Sequence, residues 1–231
     1  MAATATVDVG GETLVLLPER AALLPRHATL LVADAHVGKA VSFRRLGVPV
    51  PRGTTTQTLD ALSQLVERHA VARVVFLGDL LHSPRAHAAS TLGALARWRQ
   101  RHAALALTLV RGNHDDRAGD PPPVLRIDVV DEPWRLGGLA LAHHPRPVPG
   151  AYVLAGHLHP CVHLGRGVER LRLPCFVFGD DVGVLPAFGA FTGMHAVDRR
   201  AARRLFVVGD GEVLPIEPDG GLSRRRQSAA R

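Results

Sequence analysis

Five short apolar runs in this chain each break off at small or ionisable residues, and that repeated break constrains the fold more than any other feature. Thr29 to Ala33 stops at Asp34, with His36 two residues on. Arg73 to Leu77 stops at Gly78-Asp79, and Leu105 to Val110 runs into Arg111-Gly112-Asn113-His114-Asp115. Leu139 to Ala142 ends at His143-His144, and Tyr152 to Ala155 ends at Gly156-His157-Leu158-His159. Short apolar runs bounded by turn formers read as buried strands. The pattern therefore predicts strands whose ends deliver polar clusters to loops at one edge of a sheet.

Between the first three runs lie helical patterns. Thr54 to Ala70 places Leu59, Leu62, Leu65 and Val66 on one face, and Thr54 with Gln57 fits a capping box at its start. Ala88 to His102 places Leu92, Leu95 and Trp98 similarly, with Gly93 weakening the helix. Strand, helix, strand, helix, strand implies a parallel sheet with crossover helices. After Pro121-Pro122-Pro123 short strands take over, at Val124 to Val130, Arg170 to Leu173, Phe176 to Phe178 and Leu205 to Val208. The expected fold class is α/β: two packed β-sheets flanked by helices in one domain over residues 1–222. Residues 223–231 are expected to form a disordered tail.

An apolar content of 46% in 231 residues is enough to fill such a core. No apolar run approaches the roughly 18 residues that span a bilayer, and the first residues show no secretory leader, so a cytoplasmic location is expected. Cys161 and Cys175 match neither a zinc pattern nor a redox motif and read as packing residues. The formal net charge is +7, of which Arg224, Arg225, Arg226 and Arg231 supply four. A basic excess suits a partner that carries phosphates.

Singly, each polar residue has an ordinary reading, as a turn former or a core histidine. Together, Asp34-x-His36, Gly78-Asp79, Gly112-Asn113-His114-Asp115, His143 and Gly156-His157-x-His159 combine carboxylate, amide and imidazole donors, each group just after a strand. That donor set suits manganese, iron or zinc, and the lack of thiolates argues against a structural zinc site. The glycines at 78, 112 and 156 would let the backbone turn sharply beside the ions.

In these motifs the sequence resembles the calcineurin-like binuclear metallophosphoesterases, over roughly Leu30 to His159. The resemblance implies one metal ion held by Asp34, His36, Asp79 and His159, and a second held by Asp79, Asn113, His143 and His157, with Asp79 bridging. His143 is preferred to His144 because it follows the strand directly and stands in a His-x-Pro sequence. Two such ions clamp phosphate oxygens and generate hydroxide for in-line attack. His114 would then be the general acid, oriented by Asp115 or His82. His82 stands where many relatives carry an Asp, and is a second candidate for contact with the substrate phosphate. Arg44, Arg45, Arg85 and Arg146, close in sequence to these loops, are candidate phosphate contacts.

A narrower resemblance extends almost to Ile216. It is carried by Ala33 to Ala40, Phe43 to Pro51, Gly78 to Ser83, and Leu185-Pro186-Ala187-Phe188-Gly189-Ala190-Phe191-Thr192-Gly193. These look like the bacterial ligase-associated DNA damage response endonucleases. Met194 departs from the pattern, where a second glycine is expected. The resemblance implies a manganese-dependent phosphodiesterase that cuts DNA, as a single-strand endonuclease in DNA repair, in functional association with an ATP-dependent DNA ligase and a helicase. The alternatives are the same machinery acting on small or cyclic nucleotides, and a non-catalytic scaffold of the same fold.

Overall fold

The computed structural model describes residues 3–45, 47–50, 53–165, 170–189 and 192–217. The tail expected from residue 223 onward lies outside them, as do Ala190, Phe191 and the side chain of Arg45. The first sheet holds seven strands in chain order: β1 (Ala5–Val9), β2 (Glu12–Leu16), β3 (Ala22–Leu24), β4 (Thr29–Val32), β5 (Arg73–Leu77), β6 (Ala106–Val110) and β7 (Asp128–Val130). β1 to β4 run antiparallel and β4 to β7 parallel. Helices α1 (Lys39–Arg45) and α2 (Thr54–His69) connect β4 to β5, α3 (Ala89–Arg101) connects β5 to β6, and α4 (Asn113–Ala118) follows β6.

The nine strands of the second sheet come from the second half of the chain. They are β8 (Trp134–Leu136), β9 (Leu139–Leu141), β10 (Tyr152–Ala155), β11 (Pro160–Leu164), β12 (Leu171–Phe178), β13 (Val182–Val184), β14 (His195–Ala196), β15 (Arg204–Gly209) and β16 (Glu212–Ile216). Their order is β14-β11-β12-β13-β10-β9-β8, with β15 pairing both β12 and β16.

The central strands are apolar on both faces because both are covered. Leu30, Val32, Val74, Phe76, Leu107 and Leu109 face α2 and α3, where Leu59, Leu62, Leu65, Leu95 and Trp98 meet them. The alternate residues Leu31, Val75, Leu77 and Val110 pack on the second sheet through Leu139, Leu141, Leu154, Phe176 and Phe178. Burying each of these large side chains contributes about 1.5–3 kcal/mol, so the register that aims the strand ends is strongly fixed.

Four local expectations are corrected. The capping box at Thr54 does not form: Gly53 (φ 88°) is the N-cap of α2, so Thr54 is already helical and its hydroxyl cannot reach back to a first-turn N–H. Val124 to Val130 is not one strand. Pro123 to Leu125 forms a 3-10 turn closed by Arg126 in the left-handed region, and only Asp128 to Val130 joins the sheet. The two strands expected between Arg170 and Phe178 are one, because Pro174 sits opposite Cys161 in the antiparallel ladder without ending it. The antiparallel edge β1 to β3 was not expected, although Gly10-Gly11 (φ 56° and 76°) is a hairpin-turn signal. Cys161 and Cys175 are both free thiols and fully buried.

Candidate metal centre

Asp34, Asp79 and Asn113 stand at the C-terminal ends of the parallel strands β4, β5 and β6, and His143, His157 and His159 at those of the parallel pair β9 and β10. Packing sheet on sheet brings these ends to one place. His36 joins them because its backbone N–H donates to the Asp79 carbonyl (2.9 Å) and that of Asp34 to the Gly78 carbonyl (3.3 Å). Across the sheets, the His157 N–H donates to Asp34 Oδ2 (2.9 Å). Five of the seven candidate ligands hold left-handed backbone, at Asp34 (φ 52°), His36 (46°), Asp79 (53°), His157 (70°) and His159 (47°). Such conformations cost about 1 kcal/mol or more each and persist where the surroundings over-determine them.

The side-chain atoms meet lone pair to lone pair. His143 is fully buried, and its Nδ1 donates to the Leu77 carbonyl (3.1 Å), which leaves Nε2 as an acceptor. That Nε2 lies 3.0 Å from Asn113 Oδ1, 3.0 Å from His157 Nδ1 and 3.4 Å from Asp79 Oδ1. His159 repeats the arrangement. Its Nδ1 donates to the Gly193 carbonyl (2.9 Å), and its Nε2 faces Asp34 Oδ1 at 3.3 Å and His36 Nε2 at 3.4 Å. Asp34 Oδ1 is buried without a hydrogen-bond donor. Acceptors packed this closely repel unless a cation lies among them, so the residues present fit divalent metal ions bound through oxygen and imidazole. Asp34, His36 and His159 form one group whose ligand atoms lie within 4.8 Å of one another; Asp34, Asp79 and His143 form another, and His143, His144 and His157 a third.

Electrostatics keep His36 and His157 neutral and able to ligate. Burial, then Lys39 and the neighbouring imidazoles, push His36 well below the usual histidine range. Burial, then His143 and His144, lower His157. Burial also pulls on His159, but the Asp34 carboxylate and the Gly193 carbonyl outweigh it and leave that ring raised.

His114 sits beside this cluster. Its backbone N–H donates to Asp79 Oδ1 (2.9 Å), and its Nδ1 donates to the His82 carbonyl (2.7 Å), leaving Nε2 3.9 Å from Asp79 Oδ2. The His82 ring stacks on it, with centroids 5.0 Å apart and planes 21° apart. Burial, then Lys39 and His114, push His82 down to about 4, and its Nδ1 is buried with no partner.

The expectation that Asp115 orients His114 is corrected. Its carboxylate is turned into the backbone, with Oδ2 accepting from the N–H of Asp79 (2.7 Å) and of Gly112 (3.0 Å), and Oδ1 from Leu81 N–H (3.0 Å). It clamps the loop after β5 to the loop after β6. The role expected of the glycines is corrected in part. Gly78 has φ 78° and turns the chain, but a Cβ at Gly112 would lie 2.5 Å from Asp79 Oδ1, and one at Gly156 would lie 2.6 Å from Asp34 Oδ2. At those two positions glycine serves close approach.

Of the histidine pair, His143 is the one inserted among the acceptors. His144 is held by Glu132, whose Oε1 takes its Nδ1 (2.7 Å) while Oε2 accepts both backbone N–H groups, of His143 (2.7 Å) and His144 (2.8 Å). Sequence reasoning passed over Glu132, which stands eleven residues before His143 in no motif. It also assigned no role to Lys39, the only lysine, which burial lowers while the Asp34 and Asp79 carboxylates pull it back up. Leu185 to Gly189 folds against the centre: Phe188 and Gly189 N–H donate to the carbonyls of Ala33 (2.8 Å) and Asp34 (3.2 Å). Around Met194 backbone contacts with His159 persist on both sides. Arg44, Arg85 and Arg146 are exposed on α1, on the 3-10 turn after β5 and just past His143.

The solved structure of a nuclease, MPE, from Pseudomonas putida is 44% identical to this chain, covers 92% of it and 100% of its own length, and superposes with a TM-score of 0.83. The chain belongs to the calcineurin-like metallophosphoesterase family. Two further solved structures align at lower similarity. Yfce, a phosphoesterase from E. coli, is 15% identical over 85% of this chain and 96% of that one, with a TM-score of 0.40. A conserved uncharacterized protein described as a predicted phosphoesterase, from Streptococcus pneumoniae TIGR4, is 14% identical over 84% and 91%, with a TM-score of 0.32. No protein-family profile and no curated protein sequence matched. As a metallophosphoesterase the chain is an enzyme, and it carries histidine and aspartate clusters suited to divalent metal ions. Among the described residues no helix is long and apolar enough to cross a membrane.

Proposed function

We propose that this metallophosphoesterase is a manganese-dependent endonuclease that cuts single-stranded DNA in DNA repair, in functional association with an ATP-dependent DNA ligase and a helicase. The observation that carries the reading is the acceptor cluster at the sheet edge, supported by the P. putida nuclease that aligns along its whole length. In this reading Asp34, His36, Asp79 and His159 hold one ion, Asp79, Asn113, His143 and His157 hold the other, and Asp79 serves both. Bound there, two divalent ions supply Lewis acidity toward phosphate oxygens and lower the pKa of water.

The remaining steps fall to the chain itself. The alkoxide leaving a phosphodiester must be protonated. His114 delivers that proton from Nε2, because its Nδ1 is fixed on the His82 carbonyl and only Nε2 is open to the site. His82, kept neutral by burial and the nearby cations, stacks on that ring and presents itself to the phosphate. Arg44, Arg45, Arg85 and Arg146 steer neighbouring phosphates by charge. The test is incubation of the protein and manganese with circular single-stranded DNA, a chromogenic diester and a monoester. Linearised circles are expected, whereas intact circles beside rapid hydrolysis of the chromogenic diester or the monoester would overturn the reading.

A further inference from the structure

Strand β11 leaves the metal centre directly. It starts one residue after His159, and β14 runs parallel beside it, with the His195 N–H donating to the His159 carbonyl (2.9 Å) and Cys161 opposite Ala196. Followed away from His159, these strands reach a pocket of about 420 Å³ lined by His163, Arg170, Asp198, Arg199 and Arg200. Arg172, exposed on β12, stands directly across from His163.

Among the described residues, four arginines and a histidine thus share one carboxylate, and Asp198 spends it on the backbone N–H of Arg200 (3.0 Å). Among the described residues none of the four guanidinium groups is in an ion pair; the Nε of Arg172 is turned to Cys161 Sγ (3.2 Å). Elsewhere this chain does pair its arginines, Arg111 with Asp116, Asp120 and Asp131, and Arg68 with Glu19. Like charges gathered without counter-charge repel, and a bound polyanion removes that cost while releasing its own counterions.

From His159 to His163 the extended chain covers about 13 Å, or about four steps of a stacked strand at roughly 3.4 Å each. We infer that this patch is the track along which the substrate strand leaves the metal centre, holding the sugar–phosphate backbone of a polynucleotide about four nucleotides from the scissile phosphate. The inference rests on the nuclease reading above. An acidic peptide or an anionic membrane would also satisfy the arginines. Continuity with a phosphoesterase centre along a single strand favours the polynucleotide.

The test compares the full-length parent with Arg170→Ala/Arg199→Ala/Arg200→Ala. Anisotropy of a fluorescein-labelled single-stranded 20-mer in EDTA reads binding against salt, and manganese-loaded kinetics are run on the 20-mer and on bis(p-nitrophenyl) phosphate. The triple variant should bind at least tenfold more weakly in moderate salt. Its plot of log affinity against log salt should be shallower by about 2, at about 0.7 for each phosphate no longer neutralised. KM for the 20-mer should rise with kcat within twofold, and turnover of the small diester should not change. Should the triple variant melt early, Arg170→Ala/Arg200→Ala, both exposed, takes its place with an expected slope change of about 1.4.

Equal affinity and slope in a variant whose parent cuts the 20-mer would overturn the track and leave the nuclease reading standing. A parent that hydrolyses the small diester yet neither binds nor cuts the 20-mer would overturn both. Loss of sedimentation with phosphatidylserine vesicles, with 20-mer binding unchanged, would assign the patch to a membrane instead.

Discussion

Replacing Asp115 with Ala strips the acceptor from three backbone N–H groups at once, those of Asp79, Leu81 and Gly112, at a side chain that is 1% exposed. A buried donor left without a partner costs about 1–3 kcal/mol. With some relaxation and water entry, the expected loss for Asp115→Ala is about 3–6 kcal/mol. Asp115→Asn can keep its oxygen where Oδ2 now serves Asp79 and Gly112, and turns an amide toward the Leu81 N–H, so it should cost about 1–3 kcal/mol. Urea unfolding of the metal-free proteins measures both. Because the same carboxylate ties the Asp79 loop to the Asn113 loop, both variants should also bind manganese more weakly in calorimetric titration. An Asp115→Ala protein within 1 kcal/mol of the parent would refute the clamp, and with it the view that this residue positions ligands and has no contact with His114.

Four shorter expectations accompany it. Gly78→Ala, which would press a methyl group onto the His143 ring from a left-handed backbone (φ 78°), should fold with reduced stability and lose metal content by elemental analysis; full occupancy would contradict the packing. His114→Ala should keep its metals and most activity on an aryl diester while losing DNA cleavage by tenfold or more, because a nitrophenolate needs no proton to leave; equal loss on both substrates would remove the acid assignment. Removing metal with EDTA should lower the melting temperature, by an amount corresponding to about 2.7 kcal/mol where the ion had stood at a hundred times its Kd; an unchanged melt would mean that the acceptor cluster is not relieved by cations. Cys175, whose thiol burial pushes far up, should resist iodoacetamide at pH 8.5 in the folded protein and react once unfolded; rapid native labelling would show the second sheet to be open there.

Much of the candidate centre was legible because its candidate ligands are local in sequence to strand ends. Asp34, Asp79, Asn113, His143 and His157 each sit within three residues of an apolar run, and the period of those runs announces strands. Glu132 was not legible. It acts on His143 and His144 from a loop eleven residues earlier, and only the folded path of that loop turns its carboxylate onto their N–H groups. Asp115 was seen but misread, since adjacency to His114 suggests a partner, whereas the α4 turn aims the carboxylate back at the chain after β5. The arginine patch also escaped, because Arg170 and Arg199 are far apart in sequence and meet only where β11, β12 and β14 converge.

By itself the sequence determined that the five site-bearing runs form buried strands and which donor atoms stand at their ends, because burial period and residue chemistry are properties of neighbours along the chain. Tertiary structure alone decided that two sheets stack so that Asp34 and His159, or Asn113 and His143, come within about 3 Å of one another. It also decided that glycine is required at 112 and 156 by what lies opposite, and that five candidate ligands take left-handed backbone. Those outcomes depend on contacts between segments dozens of residues apart, whose cost in strain and repulsion is met by packing of the whole core and not by any local preference.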